Sequence, residues 1–162
     1  MDKYAEYVKK INQAGHEIAN HSATHPHVAN LNYEKNIEEI KMCSQKIEAI
    51  TGQKTTLYRG PYGEYNNTVL KAAKAENHIT IQWSIDSLDY TGLTEREMIS
   101  RIEPKLQNGS IILTHNGTKN TATSLNGIIK SIKAKGFDIV KVSDLIYQEN
   151  YQIDVNGVQH QE

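Results

Sequence analysis

The sequence predicts an α/β fold built on parallel strands. Segments with helical apolar spacing alternate along the chain with short apolar runs of strand length, and glycines stand where the helical segments end. Strands separated by helices of this length pair in parallel, because each helix is the crossover between neighbouring strands.

The first element is a helix, with Tyr4, Tyr7, Val8 and Ile11 at helical spacing and Gly15 as its stop. His16 to Asn20 is too short for another helix and reads as a strand running into His21. A helix from near Tyr33 buries Ile37, Ile40, Ile47 and Ile50 and closes at Gly52; Thr55 to Tyr58 is the next strand. The cycle repeats with a helix over Thr68 to Ala75 and a strand over Ile79 to Trp83. Thr94, with Glu97 three residues on, forms a capping box that opens a helix stopped by Gly109. Ser110 to Thr114 is an apolar strand. Leu125, Ile128, Ile129 and Ile132 mark a helix stopped by Gly136, Phe137 to Val142 is a strand, and a short helix runs from Ser143 to Tyr147. Residues 1–148 therefore read as one domain, and 149–162 as a polar, loosely packed tail.

At 162 residues the chain has room for a single real core. Lys and Arg number 18 against 19 Asp and Glu, a formal charge of -1, which gives no electrostatic excess for nucleic acid or an anionic membrane surface. The longest apolar runs are strand-length, so no membrane-spanning segment is expected. The single cysteine, Cys43, falls in a helical pattern and is expected as a buried thiol.

The chemically unusual residues follow the C-terminal ends of successive strands, the edge where parallel α/β folds bind ligands. His21 and His25 follow the first strand, Arg59-Gly-Pro-Tyr-Gly63 the second, Asp86 to Tyr90 the third and His115 the fourth, so the loops are expected to share one pocket. Two imidazoles four residues apart can meet one metal ion if the segment turns, and Pro26 disfavours a helical conformation at His25. Solvated loop histidines are the plain alternative. Arg59 places a permanent cation at a strand end, before a turn shaped by Pro61 and Gly63; it can orient a carboxylate or remain solvated. Asp86 and Asp89 suit turn capping equally well. His115 follows an apolar strand that anchors its backbone, which suits a proton donor whose charge a carboxylate such as Asp89 can stabilise.

Together, Gly15-His-Glu-Ile18 leading to His21-Ser-Ala-Thr-His25-Pro26, then Arg59-Gly-Pro-Tyr-Gly63, Trp83-Ser-Ile-Asp86-Ser-Leu-Asp89-Tyr90 and Ile111-Ile-Leu-Thr-His115 resemble the polysaccharide deacetylases of the NodB-homology carbohydrate esterase family, of the bacterial cell-wall or sporulation type. The resemblance covers nearly all of Tyr4 to Tyr147. It implies a distorted (β/α) barrel that removes acetyl groups from N-acetylated polysaccharides with a divalent metal, usually zinc, in an extracellular or cell-envelope setting. By the same resemblance His21 and His25 are metal ligands, Arg59 orients a catalytic aspartate, and Asp89 tunes His115, the general acid. The Tyr62 backbone N–H stabilises the oxyanion, while Pro61, Trp83, Tyr90 and Leu113 line the substrate slot.

The chain also departs from that pattern. The adjacent aspartates that the family carries upstream of the first helix, one a base and one a metal ligand, do not occur here. Gly60 stands where a proline is usual, Tyr90 where a tryptophan is usual and Asn116 where an aspartate is common. Without its first one or two strands the barrel would expose a strand edge, to be covered by a missing N-terminal segment or a second copy of the chain, or left open in a degenerate deacetylase-like copy that folds poorly. Activity of this stretch alone is expected to be impaired. A non-catalytic glycan-binding protein and an unrelated metal hydrolase using Asp86 or Glu64 as acidic ligand are the rival expectations.

Overall fold

The computed structural model describes residues 2–162. The chain divides into two compact units, the first ending at Gln82 and the second beginning at Trp83.

The first unit holds helices α1 (Ala5–Gln13), α2 (Tyr33–Thr51) and α3 (Asn67–Ala75). Strands β1 (Leu57–Tyr58) and β2 (Ile79–Thr80) pair in parallel, Leu57 opposite Ile79. The expected strand over His16 to Asn20 contributes only a parallel bridge from Asn20 to Tyr58. That bridge is nonetheless well bonded: the Asn20 N–H donates to the Leu57 carbonyl at 2.9 Å, and the Arg59 N–H donates to the Asn20 carbonyl at 3.0 Å. It sets His21 beside Arg59.

Helix α2 forms because Asn32 caps it, accepting from the Lys35 N–H, and Gly52 ends it with φ +71°, a conformation open to glycine. Its buried face carries Asn36, Ile40, Cys43 and Ile47. Ile40 packs with Val28, Tyr58, Val69, Ala72 and Ala73, and full burial of such a side chain stabilises by about 1.5–3 kcal/mol. Helix α1 buries none of its residues, and its Tyr7 is 65% exposed, contrary to the apolar stripe read from the sequence.

The second unit holds parallel strands β3 (Ile85–Asp86) and β4 (Ile112–Leu113), and helices α4 (Glu95–Ile102), α5 (Thr121–Ala134) and α6 (Val142–Leu145). Ile85, Met98, Ile102, Ile128 and Ile132 form its core. The Thr94–Glu97 capping box is present on both sides, the Thr94 N–H donating to the Glu97 carboxylate at 2.8 Å. α4 stops at Ile102, well before Gly109, because Pro104 follows and cannot donate within a helix. Asp86 lies in β3, one strand later than the run over Ile79 to Trp83 that was expected to present it.

Two further corrections concern the C-terminal part. Residues 137–142 form no strand; Ile139 and Val140 are about half exposed there, and an apolar run without a neighbour to pair with makes no ladder. The polar tail, read from the sequence as without regular structure, carries an antiparallel hairpin, β5 (Tyr151–Ile153) with β6 (Gln159–Gln161). Its turn is held by Asp154, whose side chain accepts from the Asn156 and Val158 N–H groups. Among the described residues no helix is long and apolar enough to cross a membrane.

Candidate active site

In the first unit, the segment after Asn20 folds back so that His21 and His25 meet. Ser22 (φ +65°) and His25 (φ +61°) both occupy the left-handed region, which non-glycine residues adopt only when their surroundings hold them. The holding contacts are explicit. The Ser22 N–H donates to the Asn20 side chain at 2.9 Å, and the His25 N–H donates to the Ser22 hydroxyl at 3.0 Å. Asn20 is itself fixed by its amide, which donates to the Ile40 carbonyl and the Ser44 hydroxyl, both at 2.8 Å.

The His21 and His25 ring centres stand 5.1 Å apart at 76°. His21 Nδ1 lies 2.6 Å from the Arg59 carbonyl oxygen. A carbonyl only accepts, so Nδ1 carries the hydrogen, and Nε2 of the neutral ring bears the lone pair. The Arg59 side chain is half-buried, and burial lowers the guanidinium pKa from its ordinary value.

Tyr62 closes this cluster. It sits at φ +58° in the Pro61–Gly63 turn, where the Gly63 N–H donates to the Gly60 carbonyl at 3.0 Å. Its exposed ring lies edge-on to His25 at 4.8 Å and stacks on His27 at 4.2 Å. His27 in turn bonds Glu64 at 2.7 Å, and that bond, with another from the Ala29 N–H, holds the Glu64 carboxyl below the usual range. Glu64 is thus engaged with His27 and Ala29. Among the described residues no group of three or more His, Cys, Asp or Glu side chains is placed to hold a metal ion.

In the second unit, Asp89 and His115 form a bonded pair. The Ser87 hydroxyl and N–H both donate to the Leu113 carbonyl, tying the segment after β3 to the end of β4. Asp89 follows at 0% exposure. Its Oδ1 accepts from His115 Nδ1 at 2.8 Å, and its Oδ2 accepts from the His115 N–H at 2.5 Å and the Thr121 hydroxyl at 2.7 Å. Burial pushes the Asp89 carboxyl up, but the bonds from Thr121 and His115 outweigh it and leave it below its ordinary value. The His115 side chain remains 37% exposed.

The Tyr90 ring meets the His115 ring edge-on at 5.2 Å. Asp86 serves the local turn: its side chain accepts from the Leu88 N–H at 2.8 Å, while its carbonyl accepts from Arg101 Nε at 2.9 Å. Leu113 is buried and Trp83 is partly buried. Sequence reading missed Thr121 and Glu39. The hydroxyl at the first position of α5 was a weak signal for Thr121; Glu39 had none, since a glutamate on α2 reads as solvent-facing.

Comparison with known proteins gives consistent matches. Residues 1–80 match the family model described as polysaccharide deacetylase. The chain is 37% identical over 121 residues to a bifunctional xylanase/xylan deacetylase from Cellvibrio japonicus, an alignment covering 74% of this chain and 18% of that protein. It is 28% identical over 148 residues to a peptidoglycan-N-acetylglucosamine deacetylase from Bacillus cereus, covering 89% of this chain and 54% of that protein. A solved CE4-family pseudoenzyme from Bacillus anthracis superposes with a TM-score of 0.84 at 28% identity, covering 89% of this chain and 51% of that one. The chain spans about half the length of the last two, and far less of the first.

Proposed function

The chain belongs to the polysaccharide deacetylase family, and from that premise we propose that it carries catalytic and metal-binding parts of a hydrolase that removes acetyl groups from N-acetylated sugars of a cell-wall polysaccharide such as peptidoglycan. The observation that carries the reading is the 5.1 Å spacing of the His21 and His25 rings. Two imidazoles on one tetrahedral zinc, each bonded at about 2.0–2.1 Å, have ring centres roughly 5 Å apart. The Arg59 carbonyl adds support, because an acceptor on Nδ1 turns the lone pair of His21 to Nε2 and stiffens the ring.

His21 and His25 would hold a divalent ion, with zinc the best match to two nitrogen ligands. Held there, such an ion would supply polarisation of the acetyl carbonyl and a lowered pKa for a water. The remaining work falls to side chains. His115 gives a proton to the departing amine, and Asp89 stabilises the charged ring and keeps Nδ1 occupied. In the first unit Tyr62 offers its backbone N–H to the developing oxyanion and Pro61 adds apolar surface for substrate; in the second unit Trp83, Tyr90 and Leu113 offer apolar surface to an acetyl group. Arg59 orients a catalytic carboxylate. No two adjacent aspartates occur in the 162 residues, so neither the base nor the acidic metal ligand is assigned among them. The setting proposed is the cell envelope or outside the cell, where peptidoglycan, the polymer in the names of two relatives, is found.

The absence of a third ligand group among the described residues, and the likeness to a pseudoenzyme, favour one second reading: a glycan-binding protein without turnover. Acetate assays on chitooligosaccharide and peptidoglycan separate the two, run with and without an added segment bearing the aspartate pair. Release after addition supports the enzyme. Sugar binding with no release in either case supports the second reading.

A further inference from the structure

Asp89 is held by more than its histidine. Its carboxylate is wholly buried, and a buried charge is tolerated only when its lone pairs are filled. His115 supplies two of the donors from a single residue, one to each oxygen. The third comes from a different element: the buried Thr121 hydroxyl, at the first position of α5, donates to Oδ2 at 2.7 Å. Thr121 is fixed in its turn by the Thr118 hydroxyl, which lies in hydrogen-bond contact with it, and by its own N–H. The start of α5 adds partial positive charge at this point. Near Tyr90, whose ring meets that of His115, the Asp86 carboxylate lies 3.5 Å from the Tyr90 hydroxyl and Arg101 bonds the Asp86 carbonyl.

We propose that Thr121 is a positioning residue of the Asp89–His115 pair. Its hydroxyl stops the carboxylate from rotating about its Cβ–Cγ bond, keeps Oδ1 on His115 Nδ1, and thereby fixes the tautomer whose Nε2 exchanges the proton. The inference rests on the reading of His115 as general acid, but its structural half does not depend on turnover. Without the hydroxyl, Oδ2 keeps only the His115 N–H, and the carboxylate can swing so that one oxygen serves that N–H while Nδ1 loses its partner.

The experiment compares wild-type protein with Thr121→Val, which keeps the shape, and Thr121→Ser, which keeps the hydroxyl. Nitrogen-15 spectra of the neutral His115 ring report which nitrogen bears hydrogen. The expected result is a dominant Nδ1–H form in wild type and Thr121→Ser, and a mixture in Thr121→Val. Should Thr121→Val fail to fold, Thr121→Ala gives the same reading with less bulk. An unchanged Nδ1–H population in every variant lacking the hydroxyl overturns the proposal. Acetate release with the aspartate segment supplied gives the second arm: kcat falls roughly 10-fold or more in Thr121→Val with KM little changed, and recovers in Thr121→Ser. A tautomer shift without any wild-type acetate release leaves the positioning intact and removes the deacetylase reading instead.

Discussion

Glu39 and Thr24 are joined twice: the Glu39 carboxylate accepts from the Thr24 N–H at 2.9 Å and from its hydroxyl at 2.7 Å. The same carboxylate also accepts from the Ala23 N–H at 2.9 Å. One α2 side chain therefore clamps the two residues between Ser22 and His25, both of which need support for their left-handed backbone. Replacing Glu39 with alanine is expected to free this segment, speed amide exchange at Ala23 and Thr24, and weaken zinc binding by roughly 10–100-fold, the usual effect of losing an outer support of a metal site. Glu39→Gln, with one acceptor left, falls between. Competition titration with a zinc chromophore reads the affinity; wild-type affinity in Glu39→Ala rules the clamp out.

Gly60 is fixed by space. A Cβ there would stand 2.2 Å from the Glu64 carbonyl oxygen and 3.3 Å from a Val28 methyl. This close approach explains why the turn does not carry the proline usual in the resembling motif, although its φ of -64° would suit one. Gly60→Ala is expected to destabilise by about 1–3 kcal/mol, the range for forced overpacking, seen as a lower urea midpoint at unchanged slope. Unchanged stability would show that the turn relaxes freely.

What the sequence showed and hid follows the reach of each interaction. The Thr94–Glu97 capping box and the stop at Gly52 were legible because their partners lie within one helical turn. Asp89 and His115 were legible as strand-end residues, yet their bond spans 26 residues and only the fold makes it. Thr121 and Glu39 act on groups 32 and about 15 residues away, through contacts with no local spacing signature. The hairpin over β5 and β6 was hidden because its strands are short and polar, although Asn156-Gly157, with Gly157 at φ +80°, was a turn signal.

The histidine pair gives a direct test of metal binding. A ligand present at about 100 times its Kd stabilises the native state by about 2.7 kcal/mol, a rise of several degrees in Tm for a chain of this size. Zinc is expected to raise the Tm of wild-type protein and to leave that of the His21→Ala, His25→Ala double variant unchanged. An equal zinc response in the two proteins places the ion elsewhere.

Acidification is expected to lower stability in two pH ranges, through different residues. His78 is buried; its Nε2 bonds the Thr55 and Ser44 hydroxyls, and its Nδ1 bonds the Glu76 carbonyl at 2.7 Å. Burial lowers its pKa below the ordinary 6.5, so the unfolded chain takes up the proton first, and stability falls as pH drops below about 6.5 until the folded value is reached. Asp89 acts at lower pH. Its carboxyl is held below 3.8, so its contribution is complete above the unfolded value of about 3.9 and is lost as pH falls through the folded one. The urea midpoint, followed from pH 8 to pH 3, should decline in both ranges. His78→Gln should flatten the upper decline and Asp89→Asn the lower, each from a lower starting stability. An unchanged upper slope in His78→Gln would mean that a different histidine takes up the proton.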